Sequence, residues 1–498
     1  MVFGKEMINR ILSKRYGISV LIIVAVSALL RFINYSNRWG LAADQARDVL
    51  VSTYALNNHL IPIIGPFSSA GQFVYGPQWF WIILSMVSVF PPAIMVPWIL
   101  QTLLYIFVVF VMYLVGKEII NKNFGLLLAF LTAISTAQIG QSTNLTSPSM
   151  AGIFSVFCVY FFIRYVKYSK SFDAFFLAFL IGNTINIHFQ AIGLLALVPV
   201  SFLLSKRNIK QLFVLALGLF LPFIPLLIFD LKTNFFESKN MLDYYFYGQN
   251  KVFVPNRWLT YAGIFWPKTW AEIIGGQVIF GYLIIFFASL FSLSEMVKRK
   301  MSKEFLGLII SFMAIFVMLR YYKGVIFGSY IAFLDSFILI FTSWVLYKIY
   351  KLNKAVFAIV LALLILTTSI VNVKQIVNAT NQTSKEAIAW KNILENKFPD
   401  EKFAIYDFKY QYPGRGLSLV LYLNADGKIA DNGRKIGLAL DNSDLNSRFN
   451  VIISNKNGFE AYDINSSSSA KLLKEKWIFI NPSEIYQSTE YWYWDKNK

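Results

Sequence analysis

Long apolar runs recur along this chain from residue 17 to about 373 and then stop. Runs of this kind reach the roughly 20 residues that a helix needs to cross a bilayer, and they alternate with short basic loops. The run at 17–34 predicts a first span. Arg31, Phe32 and Asn34 at its end, in place of small residues, predict that it is retained and not cleaved. One run breaks the pattern. Residues 78–90 form a stretch that ends at Pro91-Pro92, well short of spanning length, and predict a helix that dips in and returns or lies at the interface. A second span follows at 93–115. With 78–90 not crossing, the pattern predicts about eleven spans.

Charge supports this threading. Of 498 residues 56% are hydrophobic and 15% charged, where a soluble protein carries about 25% charged residues. The net charge of +19 sits almost wholly in the apolar part. Residues from 384 onward hold 16 basic and 15 acidic side chains, which leaves 30 basic against 12 acidic before them. Nineteen of those 30 fall in the N-terminal segment and in loops around Lys117, Arg164, Lys206, Lys298 and Lys348. All share one side only if 78–90 does not cross, and basic loops mark the cytoplasmic side. The N-terminus is then cytoplasmic and the tail extracytoplasmic. The excess charge is explained by the membrane, so no nucleic-acid partner is called for. The lone Cys158 lies in an apolar run and defines no disulfide framework.

The tail reads as a small soluble α/β domain over 384–498, set apart from a membrane part over 1–380 whose first outer loop is 35–76. Residues 384–397 predict an amphipathic helix that ends before Pro399. Phe403–Phe408, Leu417–Leu423, Val451–Ser454 and Trp477–Ile480 predict strands, and Ser466–Ser469 a loop. The tail has no histidine, no cysteine and no glycine-rich phosphate loop, so catalysis is not assigned to it.

The outward loops are rich in Asn, Gln, Tyr, Trp and Gly, a composition suited to stacking on sugar faces and bonding to hydroxyls. In the first of them stands Leu41-Ala-Ala-Asp-Gln-Ala-Arg-Asp48. A helix starting near Leu41 puts Asp44 and Asp48 on one face, with Arg47 three residues after Asp44. A carboxylate there can take a proton from a substrate hydroxyl, and a guanidinium can grip a phosphate. A solvated interfacial helix capped with charges would use the same residues. His188, at the tip of an outer hairpin beside Gln190, suits either a helix-end hydrogen bond or substrate contact. His59 reads as structural. A divalent metal held by Asp44, Asp48 and a histidine stays open, since their spacing selects no ion.

Nucleotide-binding signatures are missing. Ionisable residues within the spans, which a transporter would use, are few, Asp335 being the clearest. A flippase or transporter of lipid-linked saccharides would explain the spans and the aromatic loops, but not an acidic and basic cluster beyond the membrane.

Asp44-Gln-Ala-Arg-Asp48 resembles the acidic motif in the first outer loop of GT-C membrane glycosyltransferases, above all glycosyltransferase family 39, the protein O-mannosyltransferases and aminoarabinose transferases. Further likenesses are Gly65-Pro66, Gly71, Tyr75-Gly76-Pro77, Asn144 with Ser147-Pro148-Ser149, Ile187-His188-Phe189-Gln190 and Phe229-Asp230-Leu231-Lys232. They run in order across roughly residues 1–380. The mannosyltransferases carry Asp-Glu where this chain has Asp44-Gln45. The resemblance implies a polyprenyl-phosphate-linked sugar as donor, lying among membrane lipids, and a protein, lipid or glycan acceptor. It implies a hexosyl or pentosyl transfer with inversion at the outer face of a bacterial plasma membrane, with Asp44 as base and with no nucleotide site or energy coupling; no cofactor is certain, and a divalent metal stays open. Arg47, Asp48, His188, Gln190, Arg257, Lys268 and Lys323 are then the candidates for holding the donor.

Overall fold

In the computed structural model, residues 2–491 are described apart from 69–70, 92, 207, 249–256, 323–327, 410–412, 441–442 and 455–457. The chain is a polytopic helical membrane protein that ends in a small α/β unit. Eight described helices are long and apolar enough to cross a bilayer, the first over Arg15–Phe32. The pair Lys122–Ile134 and Thr136–Ser142, bent by 58°, makes a ninth if it is one span. The shorter apolar helices Ser171–Ile187 and Phe189–Leu204 bring the number to eleven only if both cross. Gln78–Val87 has 10 residues, about 15 Å at 1.5 Å per residue. That is about half a bilayer, too short to cross one.

A buried cation stabilises the break at Ser135. Arg31, fully buried, donates from Nη1 to the Ala133 carbonyl at 3.0 Å and to Ser27 Oγ at 2.7 Å. A cation at a helix C-terminus meets the negative end of the helix dipole and satisfies carbonyls left free there. The short second helix then delivers residues 143–144 to the end of the bundle where the Asp44 helix lies.

The tail holds five strands: β1 (Phe403–Phe408), β2 (Arg434–Leu440), β3 (Asn450–Ser454), β4 (Phe459–Asp463) and β5 (Trp477–Phe479). Their order in the sheet is β3-β4-β2-β1-β5, with β1 and β2 parallel and the other pairs antiparallel. The expected helix is found over Gln382–Lys397, and the expected serine loop closes on Ser468, which caps Ser469–Lys474. One expectation fails: Leu417–Leu423 is not a strand but part of a helix, Pro413–Ala425. Parallel neighbours cannot be joined by a hairpin and need a crossover, usually a helix. This is the crossover between β1 and β2. Leu417, Leu419, Val420, Leu421 and Leu423 are all buried because it is covered on more than one side.

That helix and the last one, Pro482–Tyr491, both pack on helix Ala43–Asn57. Tyr54 and Tyr486 meet with ring centroids 5.1 Å apart. A Cβ on Gly414 would stand 3.4 Å from the Ala43 nitrogen, ordinary contact distance. The helix that carries Asp44 is therefore held between the membrane bundle and the tail.

Candidate active site

Helix Ala43–Asn57 starts from an anchored turn. The Gly40 N–H donates to the Thr143 carbonyl at 2.9 Å, and Trp98 Nε1 donates to the Gly40 carbonyl at 2.8 Å. Gln45 Nε2 donates to Asn144 Oδ1 at 3.0 Å. Asp44 stands in the first turn, where helix N–H groups favour a negative charge. Its side chain is 71% exposed, whereas that of Asp48 is 4% exposed.

Arg47 bridges the two carboxylates. Its Nη1 lies 3.0 Å from Asp44 Oδ1 and its Nη2 2.7 Å from Asp48 Oδ1. The other Asp48 oxygen accepts from Trp79 Nε1 at 2.7 Å. Burial pushes the Asp48 carboxyl up to about 6, against the opposing pull of Arg47. The acids thus have different surroundings. Asp48 is a buried, doubly held anchor, and Asp44 is open to the outside with a cation on one flank.

Beside this cluster lies a shell of rings and amides. Residues 65–76 fold back on themselves, with the Gly65 N–H donating to the Tyr75 carbonyl at 2.8 Å and the Tyr75 N–H to the Pro66 carbonyl at 3.0 Å. Gly76 permits close backbone approach, since a Cβ there would collide with the side chains of Asn186 and Gln78. The Tyr75 ring packs on His188 and Phe189 at 5.7 and 5.2 Å, and His188 also meets Tyr330 at 5.3 Å. Burial, with smaller effects from Tyr330, Tyr322 and Asp44, drives the Tyr75 hydroxyl up to about 12, so it stays a neutral donor.

His188 is buried, and neither ring nitrogen has a hydrogen-bond partner among the described residues. Burial lowers its pKa to about 3, so the ring is neutral. Gln190 Oε1, Asn186 Oδ1 and Gln78 Oε1 are likewise buried without a partner there. Buried polar groups in proteins are nearly always bonded, so this set of free donors and acceptors suits a polar ligand.

The other candidates separate. Arg257 donates from Nη2 to the Tyr322 carbonyl at 2.7 Å, and the Tyr322 hydroxyl lies 3.2 Å from that of Tyr244. Tyr244 in turn packs on Phe73 at 5.2 Å. Arg257 is therefore wired to the rim of the aromatic shell. Lys268 is exposed and faces Glu272 at 3.8 Å, one turn on along its helix. Lys323 lies outside the described residues. His59 is exposed, away from any pairing with Asp44 or Asp48. Among the described residues no three His, Cys, Asp or Glu side chains gather to hold a metal, and both Asp48 oxygens are already engaged.

Sequence reasoning overlooked Trp79, Tyr330 and the pairing of Glu237 with the folded-back loop. Glu237 is buried and accepts from the Val74 N–H at 3.0 Å. Burial pushes its carboxyl up to about 8. A usable signal was available for Trp79, the tryptophan just after the Gly76-Pro77 turn in a segment too short to span.

No family model and no curated protein matches this chain. Solved structures do. The chain is similar to ArnT from Cupriavidus metallidurans, a structure bound to undecaprenyl phosphate, with TM-score 0.62, 11% identity, and coverage of 90% of this chain and 98% of that one. It is similar to the oligosaccharyltransferase AglB from Archaeoglobus fulgidus in complex with an inhibitory peptide and a dolichol-phosphate, with TM-score 0.53, 12% identity, and coverage of 95% and 77%. The apo form of an Archaeoglobus fulgidus oligosaccharyltransferase gives TM-score 0.51 and 16% identity over 77% of this chain, which spans 58% of that protein's length. The fold is that of the GT-C membrane glycosyltransferases, as the resemblance implied.

Proposed function

We propose that this chain is a glycosyltransferase that moves a sugar from a polyprenyl-phosphate-linked donor to an acceptor hydroxyl at the outer face of the membrane. Asp44 carries the reading, as an exposed carboxylate on a helix fixed by buried contacts, beside a shell of unbonded amides and aromatic rings. Solved structures similar to it include ones that hold undecaprenyl phosphate or dolichol-phosphate, which supports a lipid-linked donor. The chemistry needs neither a nucleotide nor energy coupling, because the donor's leaving group is its own phosphate.

In the proposed reaction Asp44 takes the proton of the acceptor hydroxyl as its oxygen attacks the anomeric carbon. The bond to phosphate oxygen breaks on the opposite face, and its electron pair leaves with the polyprenyl phosphate. One in-line displacement inverts the anomeric centre. Arg47, already aligned by Asp48, offsets the charge that gathers near Asp44, and Arg257 stands at the aromatic rim as the second cation for the phosphate. Lys268 and Lys323 are weaker candidates for the same task. The neutral His188, Gln190, Tyr75 and Tyr330 receive the sugar, the rings on its faces and the amide on its hydroxyls. A hexose or a pentose fits this description, and the acceptor is a protein, a lipid or a glycan.

The test is transfer by the purified protein in liposomes from a panel of polyprenyl-phosphate sugars, with no energy source. The expected result is product of inverted anomeric configuration from at least one donor, lost in Asp44→Asn. Movement of intact lipid-linked saccharide across the bilayer, with no cleavage of any donor, would overturn the proposal in favour of a flippase. The outward placement is tested separately by fusing a reporter active only in the cytoplasm after Lys498, which is expected to stay silent.

A further inference from the structure

Along the middle of helix Val2–Phe32, from Tyr16 to Val24, a groove opens between that helix and helix Val96–Ile119. Its cavity volume is about 630 Å³. Val20 and Tyr113 are mostly buried within its lining, while Leu103, Phe107 and Phe110 remain exposed along one wall. Gly17 leaves the opposite wall low, since a Cβ there would meet nothing within 4 Å. From Leu103 to Lys117 the wall runs roughly 21 Å at 1.5 Å per residue, somewhat more than one leaflet of a hydrocarbon core about 30 Å thick.

The mouth has the opposite character. Lys117, in the last turn of its helix, and Lys122, at the start of the next, both line it. Neither makes an ion pair with a described carboxylate. Lys122 instead lies 5.3 Å over the Tyr16 ring, whose hydroxyl donates to Asn123 Oδ1 at 2.7 Å. The aromatic ring and the two ammonium groups thus collect where an apolar channel ends at the membrane surface, the depth at which tyrosine and lysine meet headgroups.

We propose that this groove binds one acyl chain of an anionic phospholipid, with the lipid phosphate seated between Lys117 and Lys122. A zwitterionic lipid would fill the same channel but would bring a second cation against the two lysines. The charge at the mouth therefore selects the headgroup and the channel selects the chain. The site is independent of the proposed sugar transfer, since it lies at the other membrane surface from Asp44.

The experiment uses the full-length protein, stripped of lipid and titrated with phosphatidylglycerol or with phosphatidylcholine of matched chains, bound lipid being counted by native mass spectrometry. The parent protein is expected to retain phosphatidylglycerol in preference. Neutralising a lysine near an anionic surface costs about five-fold in affinity, so Lys117→Gln with Lys122→Gln should lose roughly 25-fold. Gly17→Leu fills the channel without touching the charges and should lower retention of both lipids. Lys351→Gln with Lys354→Gln, another basic loop, should change nothing. Equal retention of the two lipids by the parent would overturn the proposal. So would parental selectivity in the Lys117 and Lys122 double variant, unaltered retention in Gly17→Leu, or an equal loss in the Lys351 and Lys354 control. Thermal unfolding of each variant separates a lost site from a lost fold.

Discussion

Trp79 Nε1 donates to Asp48 Oδ2 at 2.7 Å, linking the short helix Gln78–Val87 to the helix that carries Asp44. The other Asp48 oxygen holds Arg47, and Arg47 reaches Asp44. A buried indole thereby sets the position of an exposed carboxylate through two intermediates. Trp79→Phe keeps most of the buried ring and removes the donor. A hydrogen bond to a charged group contributes about 1.5–3 kcal/mol, so a thermal unfolding measurement should show a clear loss. The Trp79 bond also lowers the Asp48 pKa against the burial that raises it to about 6. Without that bond Asp48 protonates at higher pH and releases Arg47 sooner. The acid limb of the pH–rate profile should move upward in Trp79→Phe.

Asp44→Asn preserves shape and abolishes basicity. General-base assistance is worth about 10²–10⁴-fold in rate, and the loss should fall on turnover with donor affinity little changed. Asp48→Asn should cost less turnover, because its task is to hold Arg47 and Trp79. Arg47→Ala strips one cation from between two acids, and it should weaken donor binding and loosen the helix together. Transfer rate and donor affinity of the three variants, measured side by side, separate these roles. An Asp44→Asn protein with close to parental turnover would move the search for a base to Asp230 and Asp243.

Glu237 predicts a pH effect on stability. Its carboxyl is raised to about 8 by burial, with Oε2 accepting from the Val74 N–H. An unfolded glutamate titrates near about 4.3, so between these values the folded state holds the proton more tightly. Stability from this group is present at low pH and is lost as pH rises through about 8. Glu237→Gln keeps an acceptor for Val74 and cannot ionise. Its melting temperature should fall less than the parent's when pH is raised from about 7 to about 9.

The parts legible in the sequence were those written in local pattern. Apolar run length and basic loops gave the membrane fold, and the scarcity of acids drew notice to Asp44, Arg47 and Asp48. Contacts between distant residues were hidden. Nothing near Asp48 names Trp79, and nothing near Val74 names Glu237. The tail misled in a different way. Leu417-Ser-Leu-Val-Leu-Tyr-Leu423 alternates enough to pass for a strand, yet it is buried around its circumference as a crossover helix. Central strand β2 was missed because it opens on Arg434-Lys435 and carries Gly437, which is small where the Trp477 ring covers it. Strand β4 was missed because Glu460 and Asp463 break its apolar pattern, although they are held by Tyr462 and Arg434.

The last prediction concerns the tail, to which the sequence assigns no catalysis. Its crossover helix and its final helix both lie on helix Ala43–Asn57, so the tail backs the helix that presents Asp44. Tyr486 is 4% exposed and packs its ring 5.1 Å from that of Tyr54. Truncating a buried aromatic residue costs about 3–5 kcal/mol, and Tyr486→Ala should loosen this backing without altering any group near the proposed chemistry. The expected outcome is slower transfer with the donor still bound, since the aromatic shell of Tyr75, His188 and Tyr330 is held by the membrane part. Tyr486→Phe keeps the ring contact and should restore most of the rate. The measurement is turnover and donor affinity for both variants at a temperature where each is folded. Parental turnover in Tyr486→Ala would show that the membrane contacts of Gln45 and Asp48 position Asp44 unaided.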